Sequence, residues 1–110
     1  MIGELCRIEV TAPVEAVERV LQAMGTAGAG VLGEYSHCAF VVVGQGRFQA
    51  GAGASPAVGV AGAMNTVEEG CIQSWCRRAD ARAVVAAIRA AHPYEEPVIY
   101  VIPLLSEDAL

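Results

Sequence analysis

An α+β fold with the element order βαββαβ is predicted by three features of this 110-residue chain. Two segments, Val14–Met24 and Val84–Ala91, carry apolar residues at helical spacing. Four short segments alternate or run apolar as strands do, and they fall one before, two between and one after the helices. That order is the ferredoxin-like split βαβ. It implies an antiparallel sheet of strand order 4-1-3-2 with both helices on one face, and one domain spanning residues 1–110.

The first strand is read in Leu5–Val10, where Cys6, Ile8 and Val10 alternate with Arg7 and Glu9. Thr11-Ala12-Pro13 then predicts a helix start, with Thr11 as N-cap and Pro13 in the first turn. Val14, Val17, Val20, Leu21 and Met24 form its inner stripe. Glu15 and Glu18 sit early, where the helix dipole favours them. Gly25, Gly28, Gly30 and Gly33 end that helix in a loop. The second strand is expected over Tyr35–Val43, and the run Ala39–Val43 is apolar on both faces. Gly44–Ala63, rich in Gly and Ala, has no clear period and reads as a long connection, a loop at 44–66 with its flanks. Thr66–Cys76 reads as the third strand. Asp80 is the expected cap of the second helix, which buries Val84, Val85, Ile88 and Ala91. Pro93 disfavours helix at His92 and stops it. Val98–Ile102, closed by Pro103, is the fourth strand.

Strands two and four are apolar on both sides, yet only two helices are predicted and both lie on one face. The simplest cover for the other face is a second copy of the protein, which predicts a homo-oligomer.

Composition narrows the function classes. The formal charge is −5, every basic residue is Arg, and no basic run occurs, which argues against nucleic acid. No segment approaches the ~18 continuous apolar residues of a membrane span. The N-terminus lacks a signal-peptide pattern, so a cytoplasmic location with reduced thiols is expected. Cys6, Cys38, Cys71 and Cys76 form no CxxC pair, and buried packing is the expected role of each.

His92-Pro93-Tyr94-Glu95-Glu96-Pro97 joins the second helix to the last strand. A histidine and two carboxylates there have the residue types of a ligand site. They also suit a helix stop and a strand entry: the dipole at a helix C-terminus favours a protonated His92, and Pro97 limits strand pairing. Tyr94 is expected to bury its ring. Two prolines hold the segment extended, so its side chains should seek partners in the Gly44–Ala63 connection, with Glu95 or Glu96 reaching a backbone amide or an arginine.

Gly28-Ala29-Gly30-Val31-Leu32-Gly33-Glu34-Tyr35-Ser36-His37-Cys38-Ala39-Phe40, then Gly44-Gln45-Gly46-Arg47-Phe48, Pro56 and Gly59, Val67-Glu68-Glu69, and the closing His92–Pro97 segment together resemble the YqfO insert domain of Nif-three-like proteins. The His-Pro-Tyr-Glu segment also resembles CutA, the divalent-cation-tolerance family, and through it the PII-like proteins. One departure is local. Where the family pattern reads Glu-Glu-x-Arg-Ile-Glu, this chain has Glu68-Glu69-Gly70-Cys71-Ile72-Gln73, without the arginine and the second glutamate.

The resemblance implies the fold and suggests a homotrimer, and the expected function is a PII- or CutA-like binding module that senses or holds a metal ion or small anion between subunits. Candidate ligand-binding residues are Arg47, Glu68, Glu69, His92, Glu95 and Glu96. Candidate metal ligands are His37 and Cys38, and the CutA likeness suggests copper or another divalent cation. Adjacent residues on a strand point to opposite faces, so His37 and Cys38 do not easily share one ion. Strands two and three are neighbours in this fold, which allows Cys38 to approach Cys71 or Cys76. The backbone amides of the glycine-rich connection suit an anion, although Gly44-Gln45-Gly46-Arg47 lacks the Lys-Ser/Thr of a phosphate loop.

Hydrolytic chemistry at two metals needs a cluster of His, Asp and Glu. Two histidines and two aspartates, Asp80 and Asp108, do not supply it, so the chain is not expected to be an enzyme. A structural or partner-docking domain without a ligand of its own is the alternative.

Overall fold

The computed structural model describes residues 4–110. Strand β1 spans Leu5–Pro13 and leads through a 3-10 turn, Val14–Ala16, into helix α1, Val17–Thr26. Strands β2 (Phe40–Gln49) and β3 (Met64–Arg77) follow, then helix α2 (Arg78–Ala91), strand β4 (Ile99–Pro103) and a terminal 3-10 turn, Glu107–Ala109. The sheet is antiparallel in the order β2-β3-β1-β4, as the split βαβ pattern predicts.

Both helices cover one sheet face. Val20 and Met24 of α1 and Val84 and Ile88 of α2 pack on Ile8, Val10, Ala12, Ile72 and Cys76, all buried. Each such aliphatic side chain contributes roughly 1.5–3 kcal/mol on burial. Cross-strand partners share a face, so the pairs Cys6–Cys76 and Val10–Ile72 lie under the helices. The helix-free face carries Arg7, Glu9 and Thr11 of β1, Cys71, Gln73 and Trp75 of β3, Phe40 and Val42 of β2, and Tyr100 and Ile102 of β4.

The boundaries of β3 and β4 differ from the sequence reading by one or two residues, and four differences are larger. Thr11 does not cap a helix: β1 continues to Pro13 because β3 pairs with it as far as Glu69. The helical turn begins only after Pro13, without a side-chain cap. Asp80 does not cap α2 either. It lies in the first turn and is bound by the Arg77 side chain at 2.9 Å, while Arg77 occupies the cap position. Strand β2 begins at Phe40 rather than Tyr35, because Leu32 and Tyr35 bridge in a tight turn and His37 takes a left-handed φ of 58°. Finally, Gly44–Gln49 is strand, paired with Met64–Glu69, so the connection is confined to residues 50–63. β3 residues before Glu69 pair with β2 alone, which makes a two-stranded arm and lengthens the molecule to 48 Å.

Gly30 fixes the loop before β2. Its φ is +78°, and a Cβ there would run into the Cys38 backbone. Gly30 N–H donates to Trp75 O at 2.7 Å and its carbonyl accepts from Cys38 N–H at 2.9 Å. Trp75 Nε1–H donates to Val31 O at 3.0 Å. The glycine-rich loop is thereby tied to β3.

Candidate functional site

The junction after α2 is built around His92. Its backbone N–H donates to Ile88 O, which completes the last helical turn. The buried ring lies 2.7 Å from Thr11 O through Nε2, and its Nδ1 accepts from Tyr94 N–H at 3.1 Å. A carbonyl accepts only, so the proton sits on Nε2 and the ring is neutral. The protonated ring expected at a helix terminus is therefore not the form these contacts hold: an Nδ1–H would confront the Tyr94 donor. His92 locks β1 to the junction.

Tyr94 stacks obliquely on His92, with ring centroids 4.8 Å apart. Its hydroxyl donates to Glu69 Oε2 at 2.6 Å. Burial pushes the Tyr94 phenol well above its ordinary range, and the bond to the Glu69 carboxylate adds to the rise. The ring is half-buried rather than enclosed. Glu69 reaches over Gly46, where a Cβ would collide with its carboxylate. A side chain at Gly46 would displace Glu69 from Tyr94. Glu95 Oε2 accepts from Ser55 N–H at 3.3 Å, so the junction touches the 50–63 connection within one chain.

These contacts frame a cleft of ≈ 380 Å³. Arg47, Glu69, Glu95 and Glu96 line it together with Thr11 and Tyr94, and its apolar wall includes Phe48, Pro56, Val58 and Val98. Four of the six residues singled out as ligand-binding thus converge. The other two lie elsewhere. Glu68 is exposed opposite Gln45, on the face of β3 turned away from Glu69, and His92 sits behind Tyr94 with both ring nitrogens engaged.

His37 and Cys38 are in a separate region, between the end of α1 and β3. The His37 ring lies against Gly25, and its Nδ1 is 3.1 Å from Ser36 Oγ. Cys38 does not stand opposite Cys71 or Cys76. In the β2–β3 register Cys71 faces Val42 and Cys76 lies beyond the end of β2, while Cys38 O accepts from Ser74 Oγ at 2.7 Å. Among the described residues, no group of three or more His, Cys, Asp or Glu is placed to hold a metal ion. The cysteines are free thiols: Cys6 and Cys76 are buried, and Cys38 and Cys71 are partly accessible. Burial pushes the Cys76 thiol up to about 11 and also raises Cys71. No helix among the described residues is long and apolar enough to cross a membrane.

Sequence reasoning missed the apolar wall and the part played by Thr11. The alternation of Gln45, Arg47 and Gln49 with Gly44, Gly46 and Phe48 is the strand signal that would have set Phe48 on the face of Glu69.

The fold is a ferredoxin-like α+β fold, the fold also of the CutA proteins. The periplasmic divalent cation tolerance protein CutA from Archaeoglobus fulgidus superposes with a TM-score of 0.67 at 19% identity over 93% of this chain and 85% of its own. CutA1 from Oryza sativa gives 0.66 at 17% identity, over 93% and 81%. These likenesses establish the fold.

Sequence identity is much higher to a different group. The chain is 43% identical over 103 residues to a GTP cyclohydrolase 1 type 2 homolog of Mycobacterium tuberculosis and 39% identical to the protein of that name from Bacillus subtilis. The Bacillus cereus protein related to NIF3 superposes with a TM-score of 0.82 at 37% identity over 96% of this chain. The chain is similar to one segment of these NIF3-related proteins. It spans about a quarter of these relatives, 27% of their length. No family model matches it.

Proposed function

We propose that this chain is an oligomeric ligand-binding module rather than a catalyst, and that the cleft at Arg47, Glu69, Tyr94, Glu95 and Glu96 holds its ligand. The observation that carries the reading is the place of the cleft. Thr11 and Glu69 belong to the helix-free sheet face, so the cleft opens beside a surface that exposes Phe40, Val42, Tyr100 and Ile102. A second copy on that face would cover them, and it would sit at the cleft's edge.

Binding is favoured over catalysis by how the titratable groups are used. The Tyr94 hydroxyl is committed to Glu69, and His92 spends both nitrogens on backbone groups. Neither is poised to exchange a proton with a substrate. A soft-metal role for His37 and Cys38 requires further donors from another copy. The assembly fits a trimer of the kind the PII-like resemblance implies, in a reducing cytoplasm where the thiols stay free.

Sedimentation equilibrium of untagged protein at micromolar concentration tests the assembly. A mass near three times the 11.4 kDa chain is expected, and a monomer would overturn the reading. A dimer would keep a self-association surface and exclude the trimer.

A further inference from the structure

The geometry points to a specific ligand class for this cleft: a small organic cation with an apolar body, such as an alkyl- or arylammonium compound. This deepens the proposed function and rests on it. The first observation is size. At ≈ 380 Å³ the cleft lies in the range of small-molecule sites and far exceeds a bare ion. The second is the wall. Phe48, Ala50, Pro56, Val58 and Val98 offer apolar surface that neither a metal ion nor inorganic phosphate would use.

The third is charge. Glu69, Glu95 and Glu96 line the cleft with one basic residue, Arg47, which pairs with Thr66 and so leaves the arm on the face opposite Phe48 and Glu69. Two of the carboxylates are oriented by internal donors, Glu69 by the Tyr94 hydroxyl and Glu95 by Ser55 N–H, and each keeps acceptor capacity. Glu96 makes no side-chain hydrogen bond among the described residues. Arg47 is exposed at the cleft and has no ion pair among those residues. An organic anion would meet one exposed arginine and three repelling carboxylates. An ammonium group meets the reverse balance, with an apolar wall and the Phe48 ring for its body.

The metal alternative fails on geometry within one chain, because among the described residues no three His, Cys, Asp or Glu side chains converge. The fold of the arm is what shapes the cleft: Gly46 leaves room for Glu69, and Phe48, two residues on, shares its sheet face.

The test is isothermal titration of the 110-residue protein with three matched probes: hexylammonium, hexanoate and hexanol. Saturable binding of hexylammonium at one site per chain is expected, with hexanol weaker and hexanoate weakest. Glu96→Gln should weaken hexylammonium by about tenfold, the loss expected for one charge-assisted contact. Phe48→Ala should weaken hexylammonium and hexanol alike. Circular dichroism and sedimentation should show Glu96→Gln folded and assembled, since Glu96 is exposed and makes no side-chain hydrogen bond among the described residues, and they check that Phe48→Ala, which truncates a half-buried ring, is folded before its binding is compared. Binding of hexanoate that is stronger than hexylammonium and lost in Arg47→Ala would overturn the cation assignment while leaving the cleft a ligand site. Failure of all three probes to bind would overturn the site itself, and hexylammonium binding unchanged in Glu96→Gln would place the cation elsewhere.

Discussion

The Tyr94 hydroxyl donates to Glu69 Oε2 at 2.6 Å, joining the junction after α2 to the middle of β3, 25 residues earlier in the chain. It fixes one end of the cleft. It also gives the His-Pro-Tyr-Glu segment a structural purpose without removing its carboxylates from ligand use. Tyr94→Phe keeps the ring and removes the bond. About 1–2 kcal/mol should be lost, since a half-buried carboxylate is left short of a donor. Tyr94→Ala should cost more, about 2–4 kcal/mol, below the full value for an enclosed aromatic because the ring is only half-buried. Urea denaturation of the two variants checks both. Equal stability of Tyr94→Phe and the parent would show that the bond contributes nothing.

How far the site was legible follows from which contacts are local. Pro93 after a helical stripe announces the helix end, and His92 does close α2. Alternation in Leu5–Val10 announces a strand. Its continuation through Thr11 to Pro13 does not show, because that length is set by β3 residues about 60 positions away. The arm was hidden for a similar reason. Gly44 and Gly46 weaken the strand signal, yet Gly46 is required where it stands because the Glu69 side chain passes over it. The residue types of the cleft were visible as Arg47, Glu69, Glu95 and Glu96. Their convergence depends on the arm's register and on the Glu95–Ser55 contact. Glu68 next to Glu69 shows the limit: identical side chains, one residue apart, take opposite faces.

His92 should behave as a structural histidine. Replacing it by Leu removes the partner of Thr11 O and the acceptor for Tyr94 N–H. About 2–4 kcal/mol of stability should go with them. Because the ring does not line the cleft, the affinity for a bound cation should change less than in Glu96→Gln. A His92→Leu protein of parental stability that loses ligand binding would reverse these roles.

The thiols should separate by accessibility and by pH. Cys38 and Cys71 should react with iodoacetamide in the native protein, and Cys6 and Cys76 only on unfolding. In the assembled protein Cys71, on the helix-free face, should be protected relative to Cys38. The folded-state value of Cys76 is raised from 9.0 to about 11. An unfolded chain therefore releases this proton before the folded one does. The stabilisation is fully present below pH 9 and declines between pH 9 and about 11. Cys76→Ala should flatten that part of the stability profile, measured by urea midpoints across the window. An unchanged slope would assign the decline to other groups.

The open face supplies a direct test of assembly. Val42 is 48% exposed on that face, beside Phe40 and Cys71. Val42→Glu places a charge where a second copy is proposed to sit, and it leaves the core under the helices untouched. The variant should sediment as a folded monomer with unchanged circular dichroism. Retention of the parental mass would exclude this face from the interface.

Gly30 tests the loop that ties α1 to β3. With φ at +78° and the Cys38 backbone occupying the position of a Cβ, Gly30→Ala must both strain the backbone and push the loop outward. The backbone strain alone costs about 1–3 kcal/mol. The displaced loop would also weaken the Gly30–Trp75 and Gly30–Cys38 bonds, and with them the Ser74 contact to Cys38 O. The expected result is a lower melting temperature, together with faster alkylation of Cys38 and intact pairing of β1 with β3. Hydrogen exchange resolves the two effects, because amides at Gly30 and Cys38 should lose protection while those of β1 keep theirs. Unaltered protection at Cys38 would show that the loop accommodates a side chain at Gly30 without moving.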